Sequence, residues 1–143
     1  MSVTNSPSVE TYKAYAEALN ALDVDRTRIY LHDDLTYQGP VGETRGADAY
    51  LKQVSAIGLH QEVRKIFVAG DDVCVLADLS IASVPGVRLF GCGWFQVKEG
   101  QIVSIRTIFD PRPLALDKAG VYAANAHSEI SALHHQTGTS PWT

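Results

Sequence analysis

The sequence predicts an α+β fold in which helices come first and an antiparallel sheet follows. Residues 94–110 alternate apolar and polar side chains on both sides of a Lys98-Glu99-Gly100-Gln101 turn, the pattern of two half-buried strands joined by a hairpin. Much of residues 8–57 instead repeats apolar residues at three- and four-residue spacing, which is typical of helices. The chain has 143 residues, enough for one core and a modest cavity.

Three helices are predicted in the N-terminal part of the chain. The first has Ser8 as its N-cap, and a short second helix covers residues 25–32. The third covers residues 47–57 and ends at Gly58. The predicted buried faces are Val9, Tyr12, Tyr15, Ala16, Leu19 and Leu22 in the first helix, and Tyr50, Leu51, Val54 and Ile57 in the third.

Five strands are predicted between and after these helices. A short strand over residues 35–39 ends at Pro40, which has no amide hydrogen to continue a ladder. Four longer strands follow, over residues 61–69, 73–83, 87–98 and 101–110. Beyond Pro113, residues 114–133 have an Ala-rich helical composition and residues 135–143 that of a frayed end. We therefore predict a domain over residues 1–113 and a C-terminal extension over residues 114–143.

Composition argues against several classes of partner. The net charge of −4 and the pI near 5.6 do not favour binding to nucleic acid or to an anionic membrane. No stretch approaches the length of a membrane span or of a signal-peptide core, so a cytoplasmic protein is expected. Cys74 and Cys92 lack metal-type spacing, as does the His134-His135 pair. We therefore expect no metal and no cofactor.

The order of elements resembles that of a known superfamily. Three helices followed by a curved sheet, the Tyr37-Gln38-Gly39-Pro40 segment, and Phe95, Gly100 and Phe109 of the last hairpin resemble the nuclear transport factor 2-like proteins. Within that superfamily the chain looks most like the group of ketosteroid isomerases, limonene epoxide hydrolases and SnoaL-type polyketide cyclases. The resemblance implies a cone-shaped curved antiparallel sheet wrapped around helices and enclosing an apolar pocket.

This resemblance also orients the last hairpin, because alternate residues of a strand point to opposite faces. Residues 91, 93, 95 and 97 of one strand, and 103, 105, 107 and 109 of the next, are expected to face into the cone. Phe90, Trp94 and Ile108 then cover the convex face, where many relatives pair as dimers. A homodimer is therefore expected.

Ketosteroid isomerase chemistry does not fit these residues. The resemblance matches Tyr15 to the tyrosine of the isomerase's first helix. It places Gly39 where that family has its aspartate base, and Gly93 where it has a second acid. Glycine cannot accept a proton, so the steroid isomerase mechanism is excluded.

The epoxide hydrolase pattern is matched in part. Tyr37 corresponds to that family's tyrosine and Asp78 to the first aspartate of its Asp–Arg–Asp arrangement. Leu76 stands at the position of that family's arginine, Thr107 at that of its second aspartate, and Gly39 at that of an asparagine. Carboxylates are disfavoured inside strands unless a face is wet or functional. The odd-numbered residues of its strand are uniformly apolar, so alternation alone leaves open whether Asp78 faces the cavity or a solvated face. The match to the epoxide hydrolases favours the cavity, and we therefore expect Asp78 to face inward.

These matches lead to a functional prediction. The chain is expected to be a cofactor-independent enzyme that cyclises or isomerises an apolar small molecule, of polyketide type, by acid–base and shape catalysis. The alternatives are an epoxide hydrolase of the limonene type and a small-molecule-binding or dimerisation domain without chemistry. The predicted catalytic residues are Asp78, Tyr15 and Tyr37, and the predicted substrate-binding residues are Leu76, Phe95, Ile105, Thr107, Phe109, Gly39 and Gly93.

Overall fold

A computed structural model describes residues 6–40 and 42–117 of the chain. The helices are α1 (Pro7–Asn20), α2 (Val24–Ile29), α3 (Ala47–Ile57) and α4 (Arg112–Asp117). The strands are β1 (Leu31–Gly39), β2 (Gly42–Arg45), β3 (Leu59–Ala69), β4 (Asp72–Ile81), β5 (Arg88–Lys98) and β6 (Gln101–Phe109). The chain divides into two compact units, Met1–Asp110 and Pro111–Thr143. All six of the described strands belong to the first unit, and α4 belongs to the second.

The six strands form one mixed sheet. Its order is β2-β1-β6-β5-β4-β3, and all neighbours are antiparallel except β1 and β6, which run parallel. The α+β class is as predicted. The prediction of an antiparallel sheet holds for each of these pairs except β1–β6. The sequence analysis also missed β2, whose four residues are too few to display a periodicity.

The core lies between the sheet and the helices α1 and α3. Helix α1 buries the side chains of Val9, Tyr12, Tyr15, Ala16 and Leu19, and α3 buries those of Tyr50, Leu51 and Val54. The prediction that Leu22 belongs to this face is wrong. Leu22 lies beyond the end of α1 with a φ of 59° and is 70% exposed.

The helix boundaries have local causes. Ser6, and not Ser8, is the residue before the first turn of α1, and Ser8 lies inside the helix, where its hydroxyl donates to the Gly70 carbonyl at 2.7 Å. Helix α3 ends as predicted at Gly58, whose φ of 65° is in the left-handed region that glycine adopts without strain. The predicted helix over residues 114–133 lies mostly outside the described residues.

The hairpin between β5 and β6 follows the sequence prediction closely. Lys98 pairs with Gln101, and the two connecting residues, Glu99 and Gly100, have φ angles of 50° and 76°. Two successive positive φ angles characterise a type I′ turn, whose twist matches that of the flanking strands. The turn fixes the register as far as the Val97–Ile102 pair, and a bulge beyond that pair brings Phe95 opposite Ile105 and Gly93 opposite Thr107.

A bulge in β6 changes the predicted faces at one end of that strand. The register shifts where Gln96 pairs with Ser104 but Val97 pairs with Ile102, so Val103 is the extra residue. Consequently Ile102 is fully buried and Val103 is not. The prediction that Val103 faces inward is therefore wrong, while that for residues 105, 107 and 109 holds.

Candidate functional site

The concave side of the sheet and helix α3 enclose a cavity. Its volume is about 90 Å³. Residues of α1, α3 and five strands line it: Tyr15, Tyr37, Tyr50, Gln53, Val54, Ile57, Leu59, Gln61, Val75, Ala77, Leu79, Gly91, Cys92, Gly93, Phe95, Ile105, Thr107 and Phe109. Among these described lining residues there is no Asp, Glu, His, Lys or Arg, so the cavity is apolar with a few neutral polar groups.

Glycines let the aromatic side chains lie close to the sheet. A Cβ added at Gly93 would meet the Phe95 ring at 2.7 Å, and one added at Gly91 would lie 3.2 Å from Phe109 Cβ. At Gly39 it would overlap the Tyr37 hydroxyl and lie 2.5 Å from Thr107 Oγ1. Any other residue at Gly39 or Gly93 would therefore displace a group of the cavity wall.

Two pairs of hydroxyl groups are the main polar features of the cavity. Tyr15 Oη and Tyr50 Oη are hydrogen-bonded at 2.5 Å, and Tyr37 Oη and Thr107 Oγ1 at 3.0 Å. The rings of Tyr37 and Tyr50 bring the two pairs together, with their centroids 5.3 Å apart. Four hydroxyls thus lie along one side of an otherwise apolar space.

Burial keeps the deeper pair protonated. Desolvation raises the pKa of Tyr15 and of Tyr50 far above the ordinary value, because a phenolate in this apolar surrounding would lose its hydration. The same cause raises the pKa of Tyr12, which donates its hydroxyl to Gln61 Oε1 at 2.6 Å. At neutral pH these tyrosines are hydrogen-bond donors, not bases.

Cys92 is also neutral, and its thiol lies on the convex face of the sheet, because Cys92 pairs across the sheet with Leu76, which does not line the cavity. Its Sγ lies 3.4 Å from Cys74 Sγ, and both are free thiols. Desolvation, reinforced by this contact, raises the pKa of Cys92 to about 11. The thiol is therefore protonated at neutral pH and is a weak nucleophile.

Gln53 differs from every other polar group of the cavity wall. It lies on α3 one turn after Tyr50, and its Oε1 is a buried acceptor without a hydrogen-bond partner among the described residues. Gln61 is the contrasting case, because its Oε1 accepts from Tyr12 and its backbone bonds to Asn20 in both directions. An unsatisfied buried acceptor costs about 1–3 kcal/mol.

Asp78 lies on the opposite face from the cavity, so the prediction that it faces inward is wrong. Its neighbours Ala77 and Leu79 line the cavity, and alternation along β4 directs Asp78 outward. It pairs across the sheet with Phe90, whose side chain is 61% exposed. Its Oδ2 accepts from Arg64 Nε at 2.6 Å and raises the pKa of that guanidinium. Leu76 shares this parity and does not line the cavity either.

The other predicted site residues lie at or beside the cavity. Tyr15, Tyr37, Phe95, Ile105, Thr107, Phe109 and Gly93 line it, and Gly39 adjoins the Tyr37–Thr107 pair. Sequence reasoning missed Tyr50, Gln53 and Gln61 as cavity residues. Tyr50 was expected on the buried face of α3, and Gln53 follows it by three residues, the spacing of side chains on one helix face. That spacing was the sequence signal that could have placed Gln53 at the cavity.

The sequence profile of the SnoaL-like domain family matches residues 12–105. The chain belongs to this family. No curated protein is significantly similar to the SnoaL-like chain. Its fold is nuclear transport factor 2-like, as predicted, which the solved structures of similar proteins confirm.

Three such structures illustrate the range of functions in this fold. A nuclear transport factor 2-like protein of unknown function from Cytophaga hutchinsonii is 26% identical with a TM-score of 0.72, over 79% of this SnoaL-like chain and 98% of that one. An LEH-like epoxide hydrolase from M. tuberculosis is 25% identical with a TM-score of 0.65, over 73% of this chain and 83% of that one. A candidate polyketide cyclase from Sinorhizobium meliloti is 22% identical with a TM-score of 0.61, over 68% and 93%.

No helix among the described residues combines the length and hydropathy that a membrane crossing requires. The same part of the SnoaL-like chain contains no cluster of three or more histidine, cysteine or acidic side chains arranged to hold a metal ion.

Proposed function

We propose that this SnoaL-like protein binds a small apolar molecule carrying a carbonyl or similar oxygen, and promotes its isomerisation or cyclisation. The observation that carries the proposal is the Tyr37–Thr107 hydroxyl pair at the wall of a cavity without charged side chains. In a pair of hydroxyls one hydrogen joins the two oxygens, and the second is free to bond a ligand. That second hydrogen is the proposed donor to the ligand oxygen.

The chemistry would rest on polarisation and shape. A neutral hydroxyl in an apolar surrounding stabilises negative charge that develops on a carbonyl oxygen, and such a donor is worth about 10²–10³ in rate. The apolar walls would hold a flexible ligand in a folded conformer and reduce the entropic part of the barrier. Proton exchange with the carbon skeleton would pass through solvent water, since the described lining contains no carboxylate or imidazole.

The size of the cavity favours a small ligand. Pockets for drug-sized molecules measure about 300–1,000 Å³, and this one measures about 90 Å³. A monocyclic ketone or enone therefore fits this space better than a multi-ring polyketide.

The test uses 3-cyclohexen-1-one, whose conversion to the conjugated 2-cyclohexen-1-one is followed by ultraviolet absorbance. The native protein should accelerate this conversion, and Tyr37→Phe should lower the rate by about 10²-fold because it removes one donor. Asp78→Asn is the matched control and should leave the rate unchanged. A rate that depends on Asp78 but not on Tyr37 would contradict the proposal.

A binding function without turnover is the second candidate. The absence of any carboxylate or imidazole from the described lining favours it, because proton transfer then has no side-chain acceptor. It predicts that cyclohexanone shifts the amide resonances of cavity residues while the cyclohexenone is not converted. Epoxide hydrolysis is less well supported, since Asp78 lies outside the cavity with Arg64.

A further inference from the structure

We infer that Gln53 selects ligands that carry a hydroxyl group in addition to their carbonyl oxygen. The inference rests on the proposed function and makes its substrate class more specific. The ligand would be a small hydroxy-ketone, or the enol of a 1,3-diketone.

The position of Gln53 on α3 indicates a role in the cavity. It lies on the same face of α3 as Tyr50, Val54 and Ile57, and all four line the cavity. A structural role at this position would be filled better by leucine or methionine, which match the neighbouring Val54 and Ile57 and leave no polar atom to satisfy. A glutamine here therefore calls for a polar partner.

The described part of the chain does not provide that partner. The cavity hydroxyls bond to one another and not to Gln53, as Tyr15 pairs with Tyr50 and Tyr37 with Thr107, while Gln61 accepts from Tyr12. Gln53 Oε1 is buried and has no partner among these residues. The terminal amide torsion is soft, so a small rotation turns the amide toward the cavity.

The chemistry of the amide identifies the missing group. A primary amide offers one acceptor oxygen and two donor hydrogens. A hydroxyl satisfies either end of it, whereas a second carbonyl oxygen satisfies only the donor end. Because the orphaned atom is the acceptor, the ligand must present a hydrogen, and the hydroxyl of an alcohol or enol provides one without bringing a charge into the apolar cavity.

The two polar groups have different roles in this arrangement. The Tyr37–Thr107 pair donates to the carbonyl oxygen, and Gln53 accepts from the hydroxyl. Gln53 is therefore a specificity-determining residue.

The experiment compares 3-hydroxycyclohexanone with cyclohexanone by NMR titration of the native protein, of Gln53→Leu and of Lys52→Ala, a control on the same helix whose side chain is exposed. The native protein and the control should prefer the hydroxy-ketone by about five- to tenfold, the range of one hydrogen bond. Gln53→Leu should abolish that preference and bind cyclohexanone at least as tightly as before.

Stability provides the second readout. Gln53→Leu should leave the melting temperature equal or higher, because it removes an unsatisfied acceptor, whereas Gln61→Leu should lower it by removing the bond from Tyr12. A melting temperature lowered as much as in Gln61→Leu would mean that Gln53 has a structural partner, and would overturn the inference.

The binding results separate the two proposals. If cyclohexanone binds but the hydroxyl brings no advantage, or the advantage persists in Gln53→Leu, the inference fails and the proposed function stands. If neither compound binds to the native protein, both fail.

Discussion

The two hydroxyl pairs of the cavity differ in how much freedom each retains. Tyr15 and Tyr50 are almost completely buried, and the Tyr15 ring also packs against Tyr12 and Phe95 at centroid distances of 6.1 and 5.9 Å. Their bond is part of the core. The Tyr37–Thr107 bond is longer, at 3.0 Å, and only partly buried. A ligand can therefore compete for the second pair at lower cost, which is why we assign the recognition of oxygen to it.

Gly39→Ala tests how closely the wall supports that pair. The added methyl would overlap the Tyr37 hydroxyl and lie 2.5 Å from Thr107 Oγ1, so it should separate the two hydroxyls. Overpacking of this kind costs about 1–3 kcal/mol of unfolding free energy, measured by urea denaturation, and turnover of 3-cyclohexen-1-one should fall in parallel.

Gly93→Ala is the matched control for this change. It meets a carbon of the Phe95 ring at 2.7 Å and touches no hydroxyl. It should destabilise the fold similarly but retain more of the activity. Equal losses of activity in both variants would mean that turnover depends on the packing of the cavity wall and not on the Tyr37–Thr107 hydroxyl pair.

The buried phenols also predict how stability depends on pH. In the unfolded chain Tyr12, Tyr15 and Tyr50 lose their protons near the ordinary pKa of 10.0, but burial raises the pKa of each in the folded state. Below pH 10.0 all are protonated in both states, so they contribute no pH dependence. Above it the unfolded state releases protons first, and stability should fall by about 1.4 kcal/mol per pH unit for each tyrosine.

Urea denaturation between pH 8 and 11 measures this slope. Tyr15→Phe keeps the ring and removes one ionisable group, so its slope should be shallower by the contribution of one tyrosine. An identical slope in the variant would show that Tyr15 is not the group concerned.

At the level of elements, periodicity predicted the sheet well where the strands are regular and poorly where they are not. The alternation in residues 94–109 placed Phe95, Ile105 and Thr107 correctly on the concave face. It could not reveal the bulge at Val103, because Ile102 and Val103 are both apolar and either one fits the inward-facing position.

The error at Asp78 has a different origin. The apolar odd-numbered residues of β4 indicated that Asp78 lies on the solvated face, and the structure places it there. The match to the epoxide hydrolase pattern favoured the other face. Local alternation was the better guide, because a strand buried on one face cannot slip by one residue without exposing its whole apolar set.

The type I′ turn provides a prediction at this scale. Glu99 has a φ of 50°, a conformation that asparagine adopts more readily than glutamate. Glu99→Asn should raise the unfolding free energy by about 0.5 kcal/mol, measured by urea denaturation. Gly100→Ala should lower it by about 1 kcal/mol, because alanine is strained at a φ of 76°. Opposite signs would contradict the assigned turn geometry.

For the whole molecule, the convex face of the sheet carries the largest exposed apolar side chains. Phe90, Trp94 and Ile108 share this face and are 61%, 40% and 75% exposed. Their exposure was predicted, and a contiguous apolar patch on a sheet is characteristic of an interface between protein chains. The homodimer itself stays a prediction.

Light scattering during size-exclusion chromatography measures the assembly. The native chain should have the mass of a dimer at micromolar concentration. Trp94→Glu should reduce the mass to that of a monomer, because dimerisation would then have to bury an unpaired carboxylate. Ile29→Glu, on an α2 residue that is 63% exposed, is the control and should remain dimeric. A monomeric native protein would remove the prediction.

The neutral lining of the cavity has a consequence for what can enter it. The interior resembles a weakly polar organic solvent, so uncharged compounds that carry the same hydrogen-bonding groups should be taken up roughly in the order of their partition from water into oil. Carboxylates and ammonium ions should be rejected, because no opposite charge in the described wall offsets their lost hydration. A carboxylic acid would therefore enter only in its neutral, protonated form. Its apparent affinity would fall as the pH rises through the pKa of the ligand, and not through that of a group on the protein.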